Sequence, residues 1–422
     1  MALKLRKTHW LKFLFFMLYN IFTILKYILT TFAPYNHEKT MAGIYIHIPF
    51  CKSRCIYCNF FSTTSLSLRN DYVDALSLEL RQRSKYLDSE PVETIYFGGG
   101  TPSLLQPRQL SRILSDIYNI YNVRAKEITI ECNPDDLAPN SDNTPHDLAS
   151  ELHSLGFNRI SIGIQTLNDK MLSLLHRRHN SLQAIEAVHN AQAAGFDNIS
   201  IDLMFGLPGQ TLADLQADVN QALSLGIQHL SIYSLQCEEG TPLSQMLDNG
   251  TLAVADDELS RSMYEYILDA TQEAGFQHYE ISNFALSGRE SLHNSNYWHP
   301  IPYLGVGAGA HSYNLHSRQS NPESLTDYIE GAKRNNILFD IEELTPTDLY
   351  NEYVFTALRT RNGLNIRELE RLHGTSLHDY CLRMAKKHIK LNTLELHDDT
   401  LRLTREGLFI SNDIMSDLMY IS

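Results

Sequence analysis

The sequence predicts an α/β fold: a partial (β/α)6 TIM-type barrel followed by a smaller α/β or winged-helix-like domain. Three observations carry this. Six short β-rich runs recur from residue 43 onward. Amphipathic stretches separate them at intervals of roughly 30–40 residues, the rhythm of βα units on a parallel sheet. Four of the six end in glycine or glutamine, and polar side chains there suit strands whose C-terminal ends carry a site.

The elements follow in order. Residues 10–33, "WLKFLFFMLYNIFTILKYILTTFA", are strongly apolar and follow Lys4, Arg6 and Lys7. Their interruptions, Lys12, Asn20, Thr23, Lys26 and Thr30, fall in one helical sector and leave a wide apolar face. That pattern suits an interfacial helix. A tilted span of about 36 Å is the alternative. A third reading is that residues 1–40 are upstream sequence absent in vivo, because Met41 stands directly before "AGIYIHIPFC".

The strands are expected at 43–48, 93–100, 127–132, 159–165, 198–206 and 229–236, and helices at 71–87 and 181–195. In the second helix Leu182, Ile185, Val188 and Gln192 share the expected inner face, and Gly195 ends it. Residues 136–150 read as a turn-rich link. A further strand at 275–285 and the glycine-rich 303–314 are expected to close the side of the barrel. The barrel is assigned to 41–318 and a C-terminal cap to 319–422, with helices over 345–374 and a hairpin followed by a helix over 392–419.

Composition limits the function. The 422 residues carry a net charge of −14, which speaks against an extended phosphate-binding surface and so against nucleic acid as the main partner. Six cysteines do not make a disulfide framework in a chain of this length. Three of them, Cys51, Cys55 and Cys58, lie within eight positions in "IHIPFCKSRCIYCNFF", and Phe60 stands where a close fourth would be. Three thiolates can bind three irons of a [4Fe–4S] cluster and leave the fourth iron open to an exogenous ligand. A structural zinc site wants four closed ligands, and no nearby cysteine or histidine supplies a fourth; His47 is expected to face the barrel. Cys132, Cys237 and Cys381 read as small buried hydrophobes.

The strand ends supply further candidates. "GGGTPS" (98–103) lets backbone approach a ligand closely. Glu131, Gln165 and Asp202 close or lie near the ends of three successive parallel strands and point toward the barrel mouth. Taken one at a time each reads equally well as a cap or turn residue. Arg177 in "LLHRRH" can pair with a carboxylate, or be an ordinary surface arginine.

The cysteine loop, with "YFGGGTPS", "SIGIQTLND", "IDLMFGLPGQT" and "GVGAGAHSY", resembles the radical S-adenosylmethionine superfamily, over Gly43 to about Tyr313, and within it the coproporphyrinogen oxidase-like branch. The resemblance implies that Cys51, Cys55 and Cys58 hold a [4Fe–4S] cluster. It implies that Tyr45, Gly99, Gly100, Thr101, Glu131, Gln165, Arg177 and Asp202 contact S-adenosylmethionine, with Tyr57 beside the adenine. Two subgroups compete. Oxygen-independent coproporphyrinogen III oxidases have a fourth cysteine two residues after the third. The HemW family of haem chaperones has phenylalanine there, as here, and the element HNxxYW, present as "HNSNYW" (293–298). The chaperone family is therefore the expectation. It implies haem as ligand; His293 is the candidate axial ligand, with Tyr297 and Trp298 packing on the macrocycle, or else a loop histidine that only hydrogen-bonds backbone. It implies haem-accepting proteins, such as respiratory-chain components, as partners. The location implied is cytoplasmic, peripheral at the inner membrane face if residues 10–33 form their helix. A third class, a radical enzyme modifying RNA, is opposed by the charge. Two departures from the family pattern stand out: "LLHRRH" replaces Leu-Gly-Arg-x-His, and "EEGTPL" (238–243) replaces Glu-Pro-Gly-Thr.

Overall fold

The computed structural model describes residues 41–138 and 147–421. The apolar segment 10–33 lies outside the described residues, as does most of the expected link at 136–150. No helix among the described residues is long and apolar enough to cross a membrane.

Six parallel strands form the centre of a 12-stranded sheet: β1 (Ala42–Ile48), β2 (Val92–Gly99), β3 (Val123–Cys132), β4 (Arg159–Gln165), β5 (Ile199–Phe205) and β6 (His229–Ser234). They pair in chain order. Right-handed crossovers that always step the same way put every helix on one face, and a sheet covered on one face curls around the other. The strand at 275–285 is a hairpin instead, β7 (Gln277–Glu280) and β8 (Asn283–Ala285), which pairs antiparallel with β6. On the other side β9 (Tyr303–Val306) runs parallel to β1. Beyond it β10 (His311–Tyr313), β11 (Ser317–Ser320) and β12 (Asp340–Glu343) continue the sheet antiparallel. The strand order therefore has two ends, β12 and β7.

The two faces of the central strands have opposite chemistry. Ile44, Ile46, Ile48, Ile95, Phe97, Ile128, Ile130, Ile160, Ile162, Ile164, Ile199, Ile201, Leu203, Leu230 and Ile232 share one core with the covering helices. Burying each such side chain contributes about 1.5–3 kcal/mol. The alternate residues face the barrel interior and are polar or glycine: Gly43, Tyr45, His47, Thr94, Tyr96, Gly98, Glu127, Thr129, Glu131, Arg159, Ser161, Gly163, Ser200, Asp202, His229 and Ser231. They bond to one another across strands, for example Ser200 Oγ with His229 Nδ1 at 2.8 Å and Ser161 Oγ with Asp202 at 3.1 Å. A barrel interior is ordinarily filled by branched aliphatics; here it is a polar lumen.

The helix at 181–195 runs over Ser181–Ala193 and is capped by Asn180. Its inner face differs from the expected one. Ala184, Ala187, Val188 and Ala191 are buried and Leu182 is exposed. Small alanines let the helix lie close to the strands, so the larger Leu182 stays outside.

A second core is built by Pro346–Leu358, Ile366–Lys390 and Ser411–Leu418 on a three-stranded sheet of β13 (Leu364–Asn365), β15 (Thr400–Leu403) and β14 (Leu394–His397). The long helix kinks at Gly374, where φ is 81°. The unit docks through backbone bonds from Ile281 to Arg359 and from Arg361 to Tyr279. The guanidinium of Arg359 lies 4.8 Å from the ring centroid of Trp298.

Candidate active site

The cysteine loop joins β1 to the helix Arg69–Gln82. It is fastened at its base by the Cys51 N–H to Thr63 O bond, 2.9 Å, and the Thr63 N–H to Pro49 O bond, 2.7 Å. Its middle is anchored by Ile56, which is buried with Met171, Leu175, Met204, Leu207 and Leu243. The three thiols stay partly exposed at the C-terminal ends of the strands. Thr101 donates to Cys51 Sγ at 3.6 Å, and Arg177 Nη1 donates to Cys55 Sγ at 3.4 Å. Burial raises the Cys51 and Cys58 thiols, and the neighbouring thiols raise them further. Metal coordination reverses that preference, because a ligating thiol is deprotonated outright.

Among the described residues no three His, Cys, Asp or Glu side chains gather as ligands of a single ion. In an iron–sulfur cubane each thiolate takes a different iron, so its ligands surround the cluster and do not share one point. The donor set, all thiols, is the one such a cluster uses.

Gly99 and Gly100 form the adjacent wall. Gly99 has φ of 108°, and a Cβ there would strike the His47 ring at 2.5 Å. A Cβ on Gly100 would lie 2.8 Å from Phe50 O and 3.0 Å from Cys51 Sγ. Only glycine brings this backbone beside the cysteine loop. His47 faces inward, with Nδ1 3.1 Å from Tyr45 Oη and Nε2 3.0 Å from Phe61 O.

The strand-end polar residues meet in the same mouth. Tyr96 donates to Glu131 Oε1 at 2.8 Å, and the Gly99 N–H donates to Oε2 at 3.1 Å. Burial pushes Glu131 up to about 7, against the lowering by Tyr96. Asp202 is raised by burial as well. Gln165 has φ of 72°, a left-handed conformation that costs about 1–2 kcal/mol in a non-glycine residue. Its amide nitrogen would be 2.9 Å from a Cβ on Gly163. Arg177 reaches Asn133 Oδ1 at 2.9 Å, and its buried Nε has no hydrogen-bond partner. Tyr57 lies at the edge of the Ile56 cluster, its hydroxyl raised by burial. Tyr45, Tyr57, Gly99, Gly100, Glu131, Gln165, Arg177 and Asp202 all keep partial exposure despite their interior position; Thr101 alone is buried.

The departure at "LLHRRH" has a structural reading. His176, where the family pattern has glycine, has φ of 58°. Histidine is among the residues that tolerate this region best. The turn is kept, so Arg177 points into the mouth.

The segment 293–298 sits at the opposite end of the lumen. The Leu292 and His293 N–H groups and the Ser291 hydroxyl donate to buried Glu127, at 2.7, 3.0 and 3.3 Å. The carboxylate thus caps the short helix Leu292–Asn296. His293 is 1% exposed. Its Nδ1 is 2.9 Å from Thr94 Oγ1 and its Nε2 2.9 Å from Tyr297 Oη. Its ring stacks on Tyr96 at 5.0 Å. Burial lowers it to about 3, so the imidazole is neutral. Tyr297 and Trp298 are half-buried.

Two residue types were misjudged or missed. Cys237 is exposed, not buried, because it follows β6 in the open stretch before the helix Pro242–Asp248. Arg159 is fully buried in the lumen; as a lone arginine at a strand start it gave no signal.

The Radical SAM superfamily matches residues 45–222, and the HemN C-terminal domain matches 344–410. The chain is 34% identical to the heme chaperone HemW of Bacillus subtilis (strain 168) over 378 residues, covering 89% of this chain and 98% of that one. It is 33% identical to the heme chaperone HemW of Lactococcus lactis subsp. lactis (strain IL1403), covering 89% and 96%. The solved coproporphyrinogen III oxidase HemN of Escherichia coli superposes with a TM-score of 0.77 at 20% identity, covering 93% of this chain and 92% of that one, a likeness of fold. A three-cysteine loop over a polar lumen, on a chain aligned almost end to end with these relatives, places the protein in the HemW family of the radical SAM superfamily.

Proposed function

We propose that the protein binds haem and passes it to haem-accepting proteins, and that it carries a [4Fe–4S] cluster and S-adenosylmethionine on the same chain. The near-complete alignment with HemW chaperones carries this reading. Phe60 agrees with it, since the position of a fourth cysteine is taken by a 64% exposed aromatic.

Cys51, Cys55 and Cys58 would hold the cluster, whose open iron supplies one-electron chemistry to the bound sulfonium nucleotide. The chain's own residues bind and orient. The Gly99–Thr101 backbone meets the methionine end. Glu131 and Asp202 accept hydrogen bonds from hydroxyl and ammonium groups. Arg177 offers its free Nε to a carboxylate, and Gln165 and Tyr45 line the remaining wall. Tyr57 packs beside the adenine.

The haem contact is assigned to the outer side of 293–298, at Tyr297 and Trp298. His293 would hold the haem iron only if its Nε2 were released from Tyr297. Acceptors such as respiratory-chain components, reached from the cytoplasmic side of the membrane, complete the reading.

A haem titration run beside an anaerobic assay with coproporphyrinogen III, S-adenosylmethionine and reductant tests this. One haem per chain and no decarboxylation are expected. Protoporphyrinogen IX as product would make the protein an oxidase. An unchanged haem spectrum and affinity in His293→Ala would move the axial ligand elsewhere.

A further inference from the structure

Arg159 is the largest fully buried side chain among the described residues, 1% exposed, at the start of β4. It pairs in register with Thr129, two residues below Glu131 on the same face of β3. Two residues above it, Ser161 donates to both oxygens of Asp202, at 3.1 and 3.2 Å. The guanidinium thus lies under the two mouth carboxylates. Its Nε and Nη1 have no hydrogen-bond partner, and neither has the adjacent Thr129 hydroxyl. An arginine cannot shed its proton. A buried charge without contact partners is costly unless it acts on groups near it.

We infer that Arg159 is a positioning residue for the nucleotide site: from below, its fixed charge biases Glu131 and Asp202 toward the acceptor-only carboxylate form that suits the hydroxyl and cationic groups of S-adenosylmethionine. The inference rests on the nucleotide reading above. Its field favours the charged form of both acids against the burial that raises them. The other titratable groups around it are Tyr96 from β2, His229 from β6, Tyr279 from β7, and His293 from the floor helix. Burial keeps each of them neutral, histidines lowered and tyrosines raised, so the cations here are Arg159, which favours the charged form of both acids, and Arg177, which does so for Asp202. A purely structural arginine would be paired; this one is held near two acids without hydrogen-bonding through Nε or Nη1.

The test measures S-adenosylmethionine dissociation constants from pH 6 to 9 on the full chain with reconstituted cluster, for wild type, Arg159→Gln and Arg159→Lys. Wild-type affinity should rise with pH through about 7, where Glu131 ionises. In Arg159→Gln the midpoint should move up by about one unit or more, weakening binding near neutrality by on the order of tenfold, with convergence toward wild type at pH 9. Arg159→Lys, which keeps the charge, should restore most of the midpoint. Weakening by the same factor at every pH, in Gln and Lys alike, would make the residue structural and overturn the inference, as would an unchanged profile. Wild type that fails to bind the nucleotide at any pH would instead refute the nucleotide reading. Iron content and melting temperature, read on each variant, show that the fold is intact; if Arg159→Gln does not fold, the neutral Arg159→Met is read in its place against the same expectations.

Discussion

The floor and the mouth of the lumen are both polar, yet their bonding differs. At the floor the chain itself supplies the partners of Glu127, His293 and His229, while just above it Arg159 Nε and Nη1 and the Thr129 hydroxyl stay unpaired. Glu127 takes three donors from one helix start, His293 uses both ring nitrogens, and His229 bonds Ser200 and Tyr279. At the mouth, valences are left open: Arg177 Nε is unpaired, two carboxylates sit above their usual range, and Gln165 is held in a left-handed turn. Paired polar groups hold a fold together; open ones cost stability and serve a ligand. The inward side of the floor should therefore matter for stability and the mouth for nucleotide binding.

The largest effect expected is on the cluster. Cys51→Ser should abolish bound iron and cluster absorbance while the far-ultraviolet circular dichroism stays native. Retention of a full cluster would break the assignment of the loop.

Next comes the contrast itself. His293→Ala strands the Thr94 and Tyr297 hydroxyls and leaves a cavity, and should cost about 2–4 kcal/mol in denaturant unfolding. Glu131→Gln should be neutral or slightly stabilising, because a raised acid is replaced by a neutral amide. It should weaken S-adenosylmethionine binding by roughly 10–100-fold, the worth of a hydrogen bond to a charged group. If Glu131→Gln unfolds the protein and His293→Ala does not, the comparison is inverted.

The pH dependence sharpens it, with opposite signs at the two ends. His293, lowered to about 3, leaves the unfolded chain binding more protons below the usual histidine value of 6.5. Its contribution is present above 6.5 and is lost as pH falls toward 3. Glu131, raised from 4.5 to about 7, keeps a proton in the folded state that the unfolded chain has released. Its contribution is lost as pH rises from 4.5 through about 7. Urea titrations without ligand should show Glu131→Gln removing the second slope and leaving the first.

The smallest effect is at His176. Replacing it with glycine relieves the left-handed turn but adds backbone entropy, so the net change should be under about 1 kcal/mol, with cluster content unchanged.

Much of the mouth was legible in the sequence because it is a matter of period. A strand that reads Ile-polar-Ile-polar puts Tyr45, Glu131 and Asp202 on one face, and three cysteines in one loop stand out by their spacing. The floor was not legible as a floor. His293 meets Thr94 across 199 positions, a contact that no local pattern records. Nor was Arg159, since a lone arginine at a strand start reads as surface charge. Leu182 failed for the converse reason: it fits the helical period, but close packing chose the alanines beside it.

The most direct measurement is anaerobic reconstitution of the full chain with iron and sulfide, followed by Mössbauer spectroscopy with and without S-adenosylmethionine. The account predicts a [4Fe–4S] cluster in which one iron alone changes its signature when the nucleotide is added. A zinc centre, or a cluster whose four irons are indifferent to the nucleotide, would contradict it.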